Sequence, residues 1–289
     1  MTLVWLATAL ERTRGYLAIV RPPNLIMSFV GCLLGSAVAL GSVSTLAQAL
    51  SPALQAAAIA VLFTGAGNTL NDYYDRETDR VNHPVRPIPS GQVTPRGALA
   101  LSLLLFAVTI PWSFFLRWEL LVVVLINLAL MGSYEWAFKQ TGLRGNLLIA
   151  WLVASLFLFG GLALYPDATA LFPVLVLALL AFLATLGREI IKDIQDVSGD
   201  TDRETLPMRL GIPAAARVAS AALVVAVGLS MLPPLLGLLG LAYLPVVLGA
   251  DAIFIYAALN SVRRPALSQR TAKYGMVVAL LAFLAGVLP

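Results

Sequence analysis

The sequence predicts an all-α polytopic membrane protein, a bundle of about nine transmembrane helices with a cytoplasmic N-terminus. Three observations predict it. Hydrophobic residues make up 60% of the 289 positions and charged residues only 12%, where a soluble domain would carry roughly a quarter charged. The apolar residues fall into runs near 20 residues, the length a helix needs to cross the hydrocarbon core. The basic residues, finally, separate cleanly to one side when those runs are taken as spans.

The spans are read at 24–43, 50–71, 97–115, 119–137, 146–165, 169–189, 213–233, 238–261 and 271–289. Gly41-Ser42, Pro166-Asp167 and Pro233-Pro234 separate or end neighbouring runs. Pro111, Pro173 and Pro245 fall inside or near the starts of spans, which membrane helices tolerate when neighbours satisfy the freed carbonyls. No polar segment is long enough for a soluble domain, so 1–289 reads as a single integral membrane domain. Glu11, Arg12 and Arg14 break up the N-terminal stretch, which lacks the layout of a signal peptide. The single cysteine, Cys32, sits in an apolar run and is expected to be buried, with no disulfide.

Nine spans place alternate loops on opposite sides. Of the 19 Lys and Arg residues, all but Arg117 then lie on one side, with the N-terminal arm. That side is cytoplasmic. The net charge of +4 therefore reflects orientation and anionic lipid rather than nucleic acid. The localisation expected is a multi-pass cell-membrane protein. Its chemistry lies at the cytoplasmic side, because the acids gather there too, apart from Glu119, Asp167 and Asp251.

Those acids follow a pattern. "NDYYDRETDR" spaces Asp72, Asp75 and Asp79 as D-x-x-D-x-x-x-D, and "KDIQDVSGD" spaces Asp193, Asp196 and Asp200 identically. The copies are 121 residues apart at each of the three positions. Each follows an even-numbered span. A duplicated four-helix unit explains this, with repeats at about 20–140 and 141–262, related in parallel, and a ninth helix added. Residues three, four and seven apart share one helical face. Each copy therefore forms a carboxylate stripe, with Asn68 and Asn71 one turn up from the first. Two such stripes facing across a cleft repel and need cations. Asp and Asn oxygens suit Mg²⁺, Mn²⁺ or Ca²⁺ rather than zinc. Mg²⁺ takes one or two carboxylates and leaves its other positions to phosphate and water. Two stripes can thus hold two or three Mg²⁺ around a diphosphate, with Mn²⁺ as a substitute. Arg76, Arg86, Lys139 and Lys192 are candidates for the remaining diphosphate oxygens. A lipid diphosphate suits the place, with its headgroup at the membrane surface and its tail among the helices. Loss of diphosphate from an allylic tail gives a carbocation for a nucleophile to capture, in a bundle that excludes water.

Asn71-Asp72-x-x-Asp75-x-x-x-Asp79 followed by "RPIPSG" resembles the first aspartate-rich motif of the UbiA-type membrane prenyltransferases. Asp196-x-x-x-Asp200 resembles their second motif. "RPPN" at Arg21–Asn24, and Tyr134 with Lys139, are similar to further family elements. The resemblance implies a helical bundle, Mg²⁺ dependence and transfer of a polyprenyl group from its diphosphate. By matched position it implies Asn71, Asp75, Asp196 and Asp200 as main metal ligands, with Asp72, Asp79, Asp193 and Asn68 as supporting ones. Asp75, Asp196, Asp200 and Lys139 become the residues expected to carry the reaction, with Tyr134 beside the diphosphate. Within the family, "GREIIKDIQDVSGD", "TGLRGN" and "ETLPMRLG" are most similar to members of archaeal ether-lipid synthesis. Those members transfer geranylgeranyl to the hydroxyl of geranylgeranylglyceryl phosphate. Gln195 and Ser198 depart from that subgroup, standing where acids are expected. An acceptor bearing phosphate needs its own anion site, for which Arg21, Asn24, Arg144 and Asn146 are candidates. An aromatic acceptor such as 4-hydroxybenzoate would leave the metal and diphosphate sites unchanged.

A cation or solute transporter is the competing class, but its polar groups belong near the bilayer midplane, where only Asp251 is expected. Asp251 is read as a structural hydrogen-bonding group between helices. His83, the only histidine, reads as a loop residue, and Gly31-x-x-x-Gly35 as helix-packing surface. Nothing in the sequence sets an oligomeric state.

Overall fold

The computed structural model describes residues 2–133, 142–165, 167–197 and 204–288. Among them the regular structure is helical throughout. The helices are α1 (Thr2–Ile19), α2 (Pro22–Ala39), α3 (Val43–Gln48), α4 (Leu50–Tyr74), α5 (Arg76–Asn82), α6 (Pro95–Leu116), α7 (Trp118–Ser133), α8 (Leu143–Leu164), α9 (Leu171–Asp196), α10 (Leu206–Leu210), α11 (Ile212–Leu229), α12 (Leu232–Leu235), α13 (Tyr243–Asn260) and α14 (Pro265–Val287). Among the described residues, eight segments are long and apolar enough to cross a membrane. They correspond to every expected span except the fourth, which is the shorter apolar helix α7. The rest of that fourth span, 134–137, lies outside the described residues.

The chain divides into two compact units, one of Met1–Val30 with Gln55–Ile126 and one of Gly31–Leu54 with Asn127–Pro289. These boundaries differ from those of the expected repeats.

In the first unit, α6 packs on α4. Ser102 Oγ donates to the Ala66 carbonyl at 2.9 Å, Trp112 Nε1 donates to Gln55 Oε1 at 3.2 Å, and Phe63 meets Phe106 edge-on. Such polar contacts hold helices together where lipid offers no hydrophobic drive. The loop between α5 and α6, containing "RPIPSG", is anchored by two side chains. Ile88 and Val93 are buried with Ile19 and Ala98. Gly15 on α1 lets that loop approach, since a Cβ there would stand 2.8 Å from Gln92 Cβ. Gly91, at φ +79°, supplies the left-handed residue that turns the loop back.

In the second unit, α2 crosses α8 at backbone contact. A Cβ on Gly35 would lie 2.1 Å from the Phe157 carbonyl oxygen, and one on Gly160 would lie 1.8 Å from that of Cys32. Ser36 Oγ bonds the Gly160 carbonyl at 2.9 Å. Gly31 faces Leu156 and Phe157 on the same seam. The small-residue spacing read from the sequence is therefore a helix contact, and Cys32 is buried in it. We expect Gly160→Val to lower the thermal midpoint in detergent strongly, because two backbones must part; overpacking costs about 1–3 kcal/mol or more. Gly228→Ala, where a Cβ meets nothing within 4 Å, should leave it unchanged or raise it slightly. Equal effects at the two positions would contradict the close crossing.

The core of this unit joins α8, α9, α11, α13 and α14. Asp251 on α13 accepts from Ser230 Oγ at 2.8 Å, and Tyr243 Oη donates to the Ser230 carbonyl at 2.9 Å. Asp251 is thus a buried link from α13 to the end of α11, as its isolation in an apolar run suggested. Asp167 caps the turn before α9. Its carboxylate accepts from the Thr169 hydroxyl and from the Thr169 and Ala170 amides, which holds its pKa below the ordinary carboxylate range.

Candidate functional site

The first acidic motif straddles a helix break. α4 ends at Tyr74, Asp75 occupies the N-cap position of α5, and its side chain makes no capping bond. The backbone ladder nevertheless continues, with Asp75 N to Asn71 O at 2.9 Å and Asp79 N to Asp75 O at 2.7 Å. The i, i+3, i+7 face therefore survives the break, and Asp72, Asp75 and Asp79 are all buried.

Buried carboxylates need partners, and two arginines supply them. Arg86 Nη1 reaches both oxygens of Asp79, at 2.7 and 2.6 Å, and stands 3.9 Å from Asp72 Oδ1. Arg21 Nη2 pairs closely with Asp72 Oδ1. Arg86 arrives there because Ile88 and Val93 anchor its loop. Arg21 arrives from the corner between α1 and α2, at φ 57°. A left-handed conformation is uncommon for a residue with a Cβ and costs about 1–3 kcal/mol. It is held by the Asp72 pair and by the Asn24 amide bonding the Arg21 carbonyl at 2.8 Å. Asn68 Nδ2 donates to the Val20 carbonyl at 2.9 Å and its Oδ1 lies 3.4 Å from Asn24 Nδ2. Asn71 Nδ2 donates to Asp75 Oδ2 at 2.9 Å.

The structure thus brings Arg21, Asn24, Asn68, Asn71, Asp72, Asp75, Asp79 and Arg86 into one hydrogen-bonded neighbourhood. It does not bring Arg76 there. The Arg76 guanidinium donates to the Tyr73 carbonyl at 2.8 Å and lies over the Tyr73 ring at 4.7 Å.

The second motif begins at the end of α9, where Asp193 and Asp196 are half-buried. Asn146, buried on the first turns of α8, donates to Asp193 Oδ2 at 2.9 Å. Arg144, two residues earlier, is exposed. Lys192 is exposed and lies 3.5 Å from Glu189 Oε2. Asp200, Tyr134 and Lys139 lie outside the described residues.

Among the described residues, no three acidic, histidine or cysteine groups converge closely enough to hold a metal by themselves. The donors still fit a hard cation in kind, being carboxylate and amide oxygens. Asn71 and Asp75 already sit side by side, and Mg²⁺ needs only one or two protein carboxylates when phosphate and water complete its shell. Asp72 and Asp79 carry guanidinium partners instead.

Reading the sequence missed one group. Thr185, Arg188 and Glu189 share an α9 face with Lys192 and Asp196. Glu189 is buried between Arg188, which pairs closely with it, and Lys192. Polar residues at i, i+3, i+4 and i+7 within an apolar span were the available signal.

A model of the UbiA prenyltransferase family matches residues 28–286. The digeranylgeranylglyceryl phosphate synthase of Natronomonas pharaonis is 41% identical over 279 residues, covering 96% of this chain and 98% of that protein. A solved digeranylgeranylglyceryl phosphate synthase superposes with a TM-score of 0.76 at 30% identity, over 96% of this chain and 99% of that one. A UbiA homologue from Archaeoglobus fulgidus, solved with GPP and Mg²⁺, superposes with a TM-score of 0.62 over 92% of this chain and 99% of that one. Its 17% identity speaks for the fold alone. The transporter reading falls with these matches. The helical architecture, the membrane-length spans and the match over most of the chain agree: this chain is an integral membrane protein and belongs to the UbiA prenyltransferase family.

Proposed function

We propose that the chain transfers a geranylgeranyl group from its diphosphate to the free hydroxyl of geranylgeranylglyceryl phosphate, forming the second ether of an archaeal lipid precursor. The observation that carries this is the 41% identity, across nearly the whole of both chains, to a protein named for that synthesis. The single-domain reading is supported by one family model running through both compact units.

In this proposal Asn71, Asp75, Asp196 and Asp200 are the main ligands for two or three Mg²⁺, with Mn²⁺ as a substitute. Asp72, Asp79, Asp193 and Asn68 support them. The oxygen donor set supports this, as does the Mg²⁺ found with a UbiA homologue of the same fold. Bound Mg²⁺ would neutralise the diphosphate and make it a better leaving group. Arg86, held by its loop beside Asp79, is the first proposed donor to diphosphate oxygens. Lys192, Arg76, Tyr134 and Lys139 are the other proposed diphosphate contacts, Arg76 only after leaving the Tyr73 ring. The allylic carbon–oxygen bond breaks with its electron pair passing to diphosphate. The acceptor oxygen forms the new bond to that carbon, and its proton passes to an oxyanion, either diphosphate or a carboxylate. The apolar helices keep water from competing. The segregation of Lys and Arg supports a cytoplasmic face for these residues and a cytoplasmic N-terminus.

The test is an extraction assay with the purified full chain, Mg²⁺ and radiolabelled geranylgeranyl diphosphate, offering geranylgeranylglyceryl phosphate and 4-hydroxybenzoate separately. We expect Mg²⁺-dependent label in a phosphate-bearing diether. Label only in the aromatic product would keep the family chemistry and overturn the acceptor.

A further inference from the structure

Helix α9 has two unlike faces in its second half. Gly187, Ile190, Ile191 and Ile194 pack toward α11, with Gly187 against Leu223 and the Ala219 carbonyl. The opposite face carries Thr185, Arg188, Glu189, Lys192 and Asp196 at i, i+3, i+4, i+7 and i+11. This polar face is not simply solvated, because Thr185 is 1% exposed and Glu189 is 9% exposed.

It is also incompletely satisfied. Among the described residues, Thr185 Oγ1 and Arg188 Nε are buried and have no hydrogen-bond partner. A native structure rarely leaves such groups without a ligand or water to meet them. The guanidinium is oriented as well. Glu189 takes Nη1 of Arg188 and is itself approached by Lys192. The Nε side of the guanidinium fork remains, which is an edge suited to bidentate recognition of an oxyanion.

We propose that Arg188 and Thr185 bind the phosphomonoester of the lipid acceptor, with Glu189 as the residue that positions Arg188. This deepens the proposed function and rests on it. A lipid phosphate oxyanion could come from either substrate, and position favours the acceptor. Arg188 lies eight residues before Asp196, about 12 Å along the helix axis. The donor diphosphate belongs with the metal carboxylates. A monoester without metal needs a cation of its own, displaced from them by the reacting carbon, the attacking oxygen and the glyceryl bridge. Of the candidates read from sequence, Arg21 holds Asp72, Asn24 approaches Asn68, Asn146 holds Asp193, and Arg144 is exposed rather than buried beside an orphaned donor.

The test uses the full chain in nanodiscs and two acceptors, geranylgeranylglyceryl phosphate and its dephosphorylated alcohol. Equilibrium binding of each labelled acceptor is measured without donor, and KM for acceptor and for geranylgeranyl diphosphate is measured separately. Arg188→Gln should weaken binding of the phosphorylated acceptor about tenfold to a hundredfold, the scale of a charge-assisted hydrogen-bond pair. Binding of the alcohol and KM for the donor should move less than about threefold, below half a decade of affinity. Thr185→Val, which preserves shape, should act in the same direction and more weakly, and covers the case in which Arg188→Gln does not fold. Glu189→Gln should narrow the preference for phosphorylated acceptor over alcohol, which a merely structural role would not do. Unchanged preference in Thr185→Val and in folded Arg188→Gln overturns the site while leaving the proposed function intact. A rise in donor KM instead assigns the stripe to the diphosphate and overturns it too. Wild-type chain that neither binds nor prenylates the phosphorylated acceptor overturns the function, and the site with it.

Discussion

Replacing Asp75 with alanine is expected to lower kcat/KM for prenyl transfer by about a thousandfold or more, with the fold intact. The size follows from the proposed role. A metal ion that stabilises a leaving diphosphate contributes several kcal/mol, and each 1.36 kcal/mol is a decade in rate. The intact fold follows from local structure. Asp75 stands at the N-cap position of α5 but its side chain makes no cap bond, so helix initiation does not depend on it. Its carboxylate accepts from Asn71 Nδ2 at 2.9 Å, and an alanine there removes a buried charge. Asp196→Ala should show the same loss, since it is the matched residue of the second motif. The measurements are Mg²⁺-dependent transfer and thermal unfolding of the same preparations. Retention of more than about a tenth of wild-type kcat/KM, less than 1.4 kcal/mol of lost stabilisation, would remove Asp75 from the ligand set.

Much of this protein can be read from its residues in order. Membrane spans are local features of composition, so eight of the nine expected runs fall, among the described residues, on helices long and apolar enough to cross a membrane. The paired acidic motifs are visible because their spacing repeats. Asp251 stood out because an acid in an apolar run needs a partner, and Ser230 provides it. What the order hides is long-range pairing. Nothing near Asp72 indicates that Arg21, 51 residues away, takes its carboxylate in a left-handed backbone conformation. Nothing near Arg86 shows that burying Ile88 and Val93 aims it at Asp79. The motif looked like a row of acids awaiting cations, and the fold gives two of them guanidinium partners. Thr185 and Arg188 were hidden for a different reason. They sit inside a span defined by its average, and an average conceals a polar face opposite an apolar one.

The guanidinium pairing predicts how stability and Mg²⁺ are linked. Arg86→Ala leaves Asp79, with its side chain 5% exposed, without either of its two arginine hydrogen bonds. Breaking a buried pair by removing one partner costs about 3–5 kcal/mol. Arg86 itself is 30% exposed, which lets water in and moves the expected loss to about 2–3 kcal/mol. The double variant Arg86→Ala/Asp79→Asn removes the uncompensated charge together with the arginine. It should recover most of the stability in a double-mutant cycle, while transfer stays low because both groups belong to the proposed diphosphate and metal machinery. Asp79 cannot serve Arg86 and a cation equally at once. If it is a supporting ligand, Mg²⁺ should therefore raise the thermal midpoint of Arg86→Ala more than that of wild type, since the cation replaces the missing guanidinium, and the double variant should lose that extra rise. An identical Mg²⁺ response in all three proteins would make Asp79 a structural partner of Arg86 alone and confine the first motif's metal ligands to the residues around Asn71 and Asp75.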